Sequence, residues 1–246
     1  DIELVSILAK LTVTAIENLR LSRQRQENAR IRTLFEQYVS PEVARMLLDQ
    51  GDAMMELGTI QTLTVLFADI RNYTLLVQNL SLPDLREFLD AFFEMFTRVV
   101  YDHKGTLDKF MGDGALVIFG APCEHENPAE AAVNTGKETV HRFRSLRQRY
   151  AQRNELFLDI GLGIGISSGE MFIGNLGSRE RFDYTVVGPD VNSAQRLASG
   201  TDGDKVLCTD LVRRACRRIT PRSPAATMQL KGFAEPIIVH EVELDG

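Results

Sequence analysis

The run LFLDIGLGIGISSG, residues 156–169, constrains the fold of this chain more than any other stretch. It alternates on a period of two, the signature of a β-strand whose faces meet different surroundings. Gly161, Gly163 and Gly165 fall on one face and leave it nearly bare. A strand stripped in this way invites another backbone to pack closely against it. The chain must therefore build a sheet with a tight layer on that side.

Around this run, the patterning predicts a strand at 61–68, helices across 72–103, a strand at 105–110, a turn at 111–114 and a strand at 115–119. A helix follows over 128–151, with Pro128 at its start. Strands at 170–174 and 182–187, a helix at 189–199, a strand at 205–208, a short helix at 210–217 and a strand at 236–243 complete the order. Such an order predicts an α+β sandwich, with helices covering an antiparallel or mixed sheet. With 246 residues, 44% of them apolar, one catalytic-size domain plus an appendage fits better than two full domains.

The appendage is N-terminal. Residues 2–35 contain neither proline nor glycine, and Leu4, Leu8, Leu11 and Ala15 recur at alternating four- and three-residue steps, the seam of a coiled coil. The seam turns polar from Asn18 onward; a helix lying on the domain's own surface is the other reading of the same pattern. The expected organisation is a signalling coiled-coil helix at 1–35, a transducing segment at 36–57 and a compact domain at 58–246. Within the middle segment, Ser40 suits an N-cap and Pro41 a first helical position. The chain begins Asp-Ile-Glu without methionine, which predicts a piece of a longer protein.

A formal charge of −6 argues against a dedicated nucleic-acid binder, which needs a basic face. The basic run RRACRRITPR at 213–222 reads as a solvated surface segment. Cys123, Cys208 and Cys216 show no metal or disulfide spacing and read as reduced thiols of a cytoplasmic protein. No apolar run approaches the roughly 18 residues that a membrane span requires, so none is expected within this chain.

Three segments carry chemistry. In LTVLFADIRNYT, residues 63–74, an apolar strand ends in Asp69. A carboxylate there can hold a hard cation, and the backbone N–H groups of IRNYT can cradle phosphate oxygens. Capping of the next helix is an equally ordinary task for Asp69. In MGDGA, Asp113 stands between glycines in a hairpin turn, a common place for aspartate. Two strand-end carboxylates in one sheet can, however, clamp two magnesium ions for phosphoryl or nucleotidyl transfer. In RFDYTVVGPDVNSAQRLAS, residues 181–199, Asn192 and Arg196 stand four apart on one helical face. They can grip a ribose and a phosphate, or simply decorate a surface helix.

FADI, DKFMGDGALVIFG and YTVVGPDVNSAQRL, in this order across roughly residues 58–243, together resemble the catalytic domain of the class III nucleotidyl cyclases. The resemblance implies a ferredoxin-like sandwich of a mainly antiparallel sheet with flanking helices. It implies head-to-tail homodimers that bind ATP or GTP in the cleft between subunits. Two Mg²⁺ or Mn²⁺ ions per active site would sit at Asp69, Ile70 and Asp113, with Tyr73 and Thr74 as further substrate contacts. Lys109 looks like the base-reading lysine and Thr185 stands at its partner position. Asn192 resembles the residue that orients the ribose, Arg196 the one that stabilises charge at the α-phosphate, and Lys231, in LKGF, a triphosphate contact. In this family Lys109 and Asp113 of one hairpin would serve different active sites. AIENLRLSRQRQ looks like the trailing helix of a GAF- or phytochrome-type sensor, through which an upstream domain would regulate the enzyme.

Base choice follows from hydrogen-bond chemistry. An ammonium only donates, so Lys109 can serve adenine N1 but opposes the N1–H of guanine. The Thr185 hydroxyl can accept from the adenine amino group. Many adenylyl cyclases carry aspartate at the Thr185 position; threonine resembles the soluble and cyanobacterial subgroup. An adenylyl cyclase is the expectation, with a guanylyl cyclase or a catalytically silent regulatory module as alternatives.

Overall fold

The computed structural model describes residues 17, 20, 22, 58–178, 181–216, 221, 222, 224–230, 233 and 235–244. The expected transducing segment, Lys231, and all of the expected coiled-coil helix but residues 17, 20 and 22 lie outside them.

Strand β1 (Thr59–Arg71) is followed by helices α1 (Tyr73–Asn79) and α2 (Leu82–Asp102). Then come β2 (Thr106–Met111), β3 (Gly114–Phe119), α3 (Pro128–Ala151) and β4 (Gly161–Ser178). After β5 (Arg181–Val187) and α4 (Pro189–Ser199), β6 (Lys205–Thr209), α5 (Asp210–Ala215), β7 (Ala226–Met228) and β8 (Ile237–Glu241) complete the described elements. The sheet runs β2-β3-β1-β4-β6-β8-β7, with β5 paired to β4. Strand β1 lies antiparallel to both β3 and β4, whereas β4 and β6 are parallel. The β2-β3-β1-β4 core with α2 and α3 on one face is the ferredoxin-like α+β sandwich that the motifs imply.

Both faces of β1 are buried, which explains why its segment is almost continuously apolar rather than alternating. Leu66, Ala68 and Ile70 join Phe88, Phe92 and Phe96 of α2 and Phe143 of α3 on the helical side. Leu63, Val65 and Phe67 face the other way, toward Ala194 and Ala198 of α4. Local signals set the helix starts. The Ser81 side chain accepts from the Asp84 N–H at the head of α2, and the Asn127 side chain from the Glu130 N–H at the head of α3.

The bare face of the long strand meets α4. A Cβ on Gly163 or Gly165 would collide with the backbone carbonyls of Ala198 or Ala194. The strand itself departs from expectation at both ends. Residues Glu155–Asp159 form a 3₁₀ turn, and β4 then runs unbroken through the separately expected 170–174. The Asn154 side chain accepts from the Leu156 N–H at 3.0 Å and turns the chain. Phe157 thereby packs on Phe88 and Tyr150, with ring centroids 4.9 and 5.3 Å away. Burial of one aromatic outweighs the short alternation of LFLDI. Strand β7 carries no anticipating signal and owes its place to pairing with β8. No described helix is long and apolar enough to cross a membrane.

Candidate active site

The first cluster forms at the tip of the β2–β3 hairpin. The β1–β3 register sets Asp69 opposite Gly114, and the Ile70 N–H donates to the Asp113 carbonyl at 3.2 Å. Gly112, at φ 65°, supplies the left-handed residue that the turn needs. Asp69, near the end of β1, and Asp113, in the turn just before β3, therefore lie side by side. Burial raises the pKa of Asp113, and the charge of Asp69 raises it further, while Arg71 opposes both. Arg71 Nη1 donates to Asp69 Oδ2, so a guanidinium partly neutralises the pair. The Tyr73 phenol is also shifted up, by burial and then by the Asp113 charge.

Ile70 buries its side chain in the core, so only its backbone could serve a metal. Tyr73 and Thr74 open α1 beside this cluster. The preceding Asn72, in left-handed geometry at φ 61°, donates its side-chain amide to the Asp159 carbonyl at 2.8 Å and ties the turn down.

The second cluster lies in the middle of β2, at Asp108 and Lys109. Register slips between Leu107 and Lys109, making Asp108 the extra residue of a β-bulge. Leu107 packs on the helix-side core, and Phe110 stacks on Phe93 of α2 at 4.2 Å. The bulge lets Asp108 and Lys109, neighbours in sequence, meet: Lys109 Nζ stands 3.8 Å from Asp108 Oδ2. The Thr185 hydroxyl of β5 donates to the same oxygen at 2.7 Å. The Asp108 side chain is only 1% exposed. Burial pushes its pKa up to about 6, with the Asp183 charge adding to it and the Thr185 bond and Lys109 holding it down. Its Oδ1 is buried without a hydrogen-bond partner.

Lys109 thus pairs with Asp108, not with Asp113. Asp108 is not among the residues to which the motifs point, although two consecutive charges in the strand segment LDKF signal a bulge. The structure brings Lys109 and Thr185 together through that residue.

The third group stands on α4. Asn192 and Arg196 are exposed, while Ala194, Leu197 and Ala198 are buried. Ser167 on β4 donates to Asp190 Oδ1 at 2.6 Å and pins the first turn of the helix. Among the described residues, no hydrogen bond or ion pair joins Asn192 or Arg196 to Asp69 or Asp113. Lys231 lies outside the described residues.

Among the described residues, no group of three or more His, Cys, Asp or Glu side chains gathers as a metal cluster. A pair of carboxylates suits a cation that takes its remaining ligands from water and phosphate, as Mg²⁺ does.

The family model for the adenylate and guanylate cyclase catalytic domain matches residues 55–240. The chain is similar to an uncharacterized protein of Mycobacterium tuberculosis, 36% identical over 215 residues, covering 86% of this chain and 36% of the relative. It is also similar to adenylate cyclase 1 of Rhizobium meliloti, 28% identical over 210 residues, covering 85% of this chain and 31% of the relative. The chain therefore spans about a third of the length of the curated relatives it matches. Two solved structures resemble it closely. The guanylyl cyclase Cya2 superposes with a TM-score of 0.70 at 33% identity, covering 75% of this chain and 93% of that one. The adenylyl cyclase CyaB from P. aeruginosa superposes with a TM-score of 0.71 at 29% identity, covering 76% and 96%.

Proposed function

From the premise that this chain belongs to the adenylate and guanylate cyclase catalytic domain family, we propose that it is an adenylyl cyclase. It converts ATP into 3′,5′-cyclic AMP and pyrophosphate at composite sites between two copies of the domain. The observation that carries ATP over GTP is the meeting of a donor-only ammonium, Lys109, with a hydroxyl, Thr185, around one buried carboxylate. The adenylyl cyclases among the relatives agree with this reading, whereas the likeness to Cya2 favours GTP as the second reading.

Asp69, the Ile70 carbonyl and Asp113 would hold two Mg²⁺ or Mn²⁺ ions per site. The adjacency of the carboxylates and their mutual repulsion fit that task, since a divalent cation relieves it. When bound, such ions supply Lewis-acid stabilisation of charge on the attacking and leaving oxygens. The chain's own residues position the substrate. Asn192 holds the ribose so that its 3′-oxygen lines up with the α-phosphorus, and Arg196 stabilises charge growing on the α-phosphate oxygens. Tyr73 and Thr74 offer first-turn N–H groups to phosphate, and Lys231 contacts the triphosphate. The new bond joins O3′ to Pα, the Pα–O bond to the β-phosphate breaks, and the hydroxyl proton leaves to water or to substrate phosphate.

On this reading the site is composite and homodimeric, as the family resemblance implies. Lys109 serves the base in one cleft and Asp113 of the same hairpin a cation in the other. The pairing of Lys109 with Asp108 leaves Asp113 available to that cation. The signalling helix 1–35 and segment 36–57 would carry motion from an upstream GAF- or phytochrome-like sensor to the subunit interface. The spacing of Cys123, Cys208 and Cys216, which fits neither a metal site nor a disulfide framework, supports a reducing, cytoplasmic setting.

Complementation tests the shared site. Asp69→Ala and Arg196→Ala should each be inactive alone, and mixing them should regenerate one intact site per heterodimer. Absence of recovery counts against the composite site. Assaying cyclic AMP and cyclic GMP side by side tests base choice, and a dominant cyclic GMP product reverses it.

A further inference from the structure

We infer that Asp108 is a specificity-positioning residue: by taking the Thr185 hydroxyl proton, it makes Thr185 a hydrogen-bond acceptor toward the nucleobase and so selects a 6-aminopurine. The inference rests on the reading of Lys109 and Thr185 as the nucleobase contacts.

A threonine hydroxyl has one proton to give and two lone pairs to offer. Left alone, it can rotate to donate to guanine O6 or to accept from adenine N6, and it discriminates poorly. Here the rotor is engaged. Its proton points to Asp108 Oδ2 at 2.7 Å, and what it can still present is a lone pair. That lone pair welcomes the adenine amino group and meets the guanine carbonyl acceptor to acceptor. Lys109, 3.8 Å from the same carboxylate oxygen, favours its charged, proton-accepting form. Asp108 and Thr185 together therefore act as a fixed acceptor, although neither carboxylate oxygen need touch the base.

Packing alone does not account for this residue. The side chain is 1% exposed, and Oδ1 has no partner, an arrangement that an apolar residue would avoid. A β-bulge is needed to aim Asp108 and Lys109 at one point, and bulges of this kind re-aim side chains beside active sites. Burial also raises the Asp108 pKa, so its charge is held against the preference of the site.

The test compares kcat/KM for ATP and for GTP in the full chain, in wild type and in Asp108→Asn, Asp108→Ala, Thr185→Val, Thr185→Ser and the double variant Asp108→Ala/Thr185→Val. Asparagine is nearly isosteric, and its amide can donate to Thr185 and hand the hydroxyl proton back to the base. Losing the fixed acceptor should lower the ATP/GTP ratio about tenfold in either Asp108 variant. Thr185→Ser should retain the wild-type ratio. In the double variant the ratio should equal that of Thr185→Val alone, because Asp108 acts through the hydroxyl. An equal loss for both nucleotides with an unchanged ratio overturns the inference, as does an additive double variant. Should Asp108→Ala fail to fold, the Asp108→Asn ratio decides. If Thr185→Val itself leaves the ratio unmoved, the nucleobase reading fails and this inference falls with it. A ratio that moves in Thr185→Val but not in Asp108→Asn overturns the inference alone.

Discussion

At the tip of the β2–β3 hairpin, Asp113 sits beside Asp69 with Arg71 close by; at the bulge of the same hairpin, Asp108 is sealed from water between Lys109 and Thr185. Burial raises the pKa of both Asp108 and Asp113, but the stronger charged neighbour differs in sign: Lys109 for Asp108, with Asp183 opposing it, and Asp69 for Asp113, with Arg71 opposing it. Asp113 faces another carboxylate, so the tip gains by acquiring a cation. Asp108 faces an ammonium and a hydroxyl donor, so the bulge gains nothing from one and instead orients its neighbours. On the proposed reading, one short hairpin separates cation binding from base recognition. Position along the strand, not residue type, decides which task an aspartate performs.

The comparison predicts its largest contrast in turnover. Asp69→Ala and Asp113→Ala should each reduce cyclase activity by about a thousandfold or more, the rate equivalent of several kcal/mol of lost charge stabilisation. Circular dichroism should stay native. An Asp108→Ala variant that loses as much turnover toward ATP and GTP alike would erase the distinction between tip and bulge.

A variant outside the hairpin sharpens it. Gly165→Val places a side chain into the backbone of α4 and displaces Asn192 and Arg196 without touching either aspartate. It should destabilise the domain by about 1–3 kcal/mol in denaturant unfolding, and activity should fall while the ATP/GTP ratio holds. A change in that ratio would show that base choice is not confined to the bulge.

Exchanging Lys109→Glu together with Thr185→Cys should move the kcat/KM ratio toward GTP by about tenfold or more, and an unchanged preference rejects the assignment of base reading to the bulge.

The smallest effect is thermodynamic. The folded-state pKa of Asp108, about 6, exceeds its unfolded value of roughly 3.9. The folded protein therefore holds the Asp108 proton more tightly, and this stabilisation, full below about pH 4, is lost as pH rises through about 6. Asp108→Asn should accordingly gain in melting temperature over wild type between pH 5 and pH 7.5, by a few degrees. A difference in melting temperature that does not change with pH contradicts the buried-charge account of the bulge.

Much of this was legible in the chain itself. Pro128 marked the start of α3, and the bare glycine face of β4 foretold a close partner, found as α4. Spacing of the motifs supplied Asp69, Asp113, Asn192 and Arg196 as candidates. These features are local: periodicity, caps and the absence of a side chain act within a few residues and leave marks in the sequence. LFLDI misled because its buried residues, Phe157 and Ile160, stand three apart as a 3₁₀ turn requires, and Phe157 finds aromatic partners on α2 and α3. The order of residues alone determined most of the elements, the family motifs and the chemical types at hand. Only the tertiary structure decided that Lys109 pairs with Asp108 instead of Asp113, and that Thr185, 77 residues away, gives its proton to the same oxygen. The slip in register that aims two adjacent side chains at one point depends on how three strands and their flanking helices pack together, and no local rule of the chain contains it.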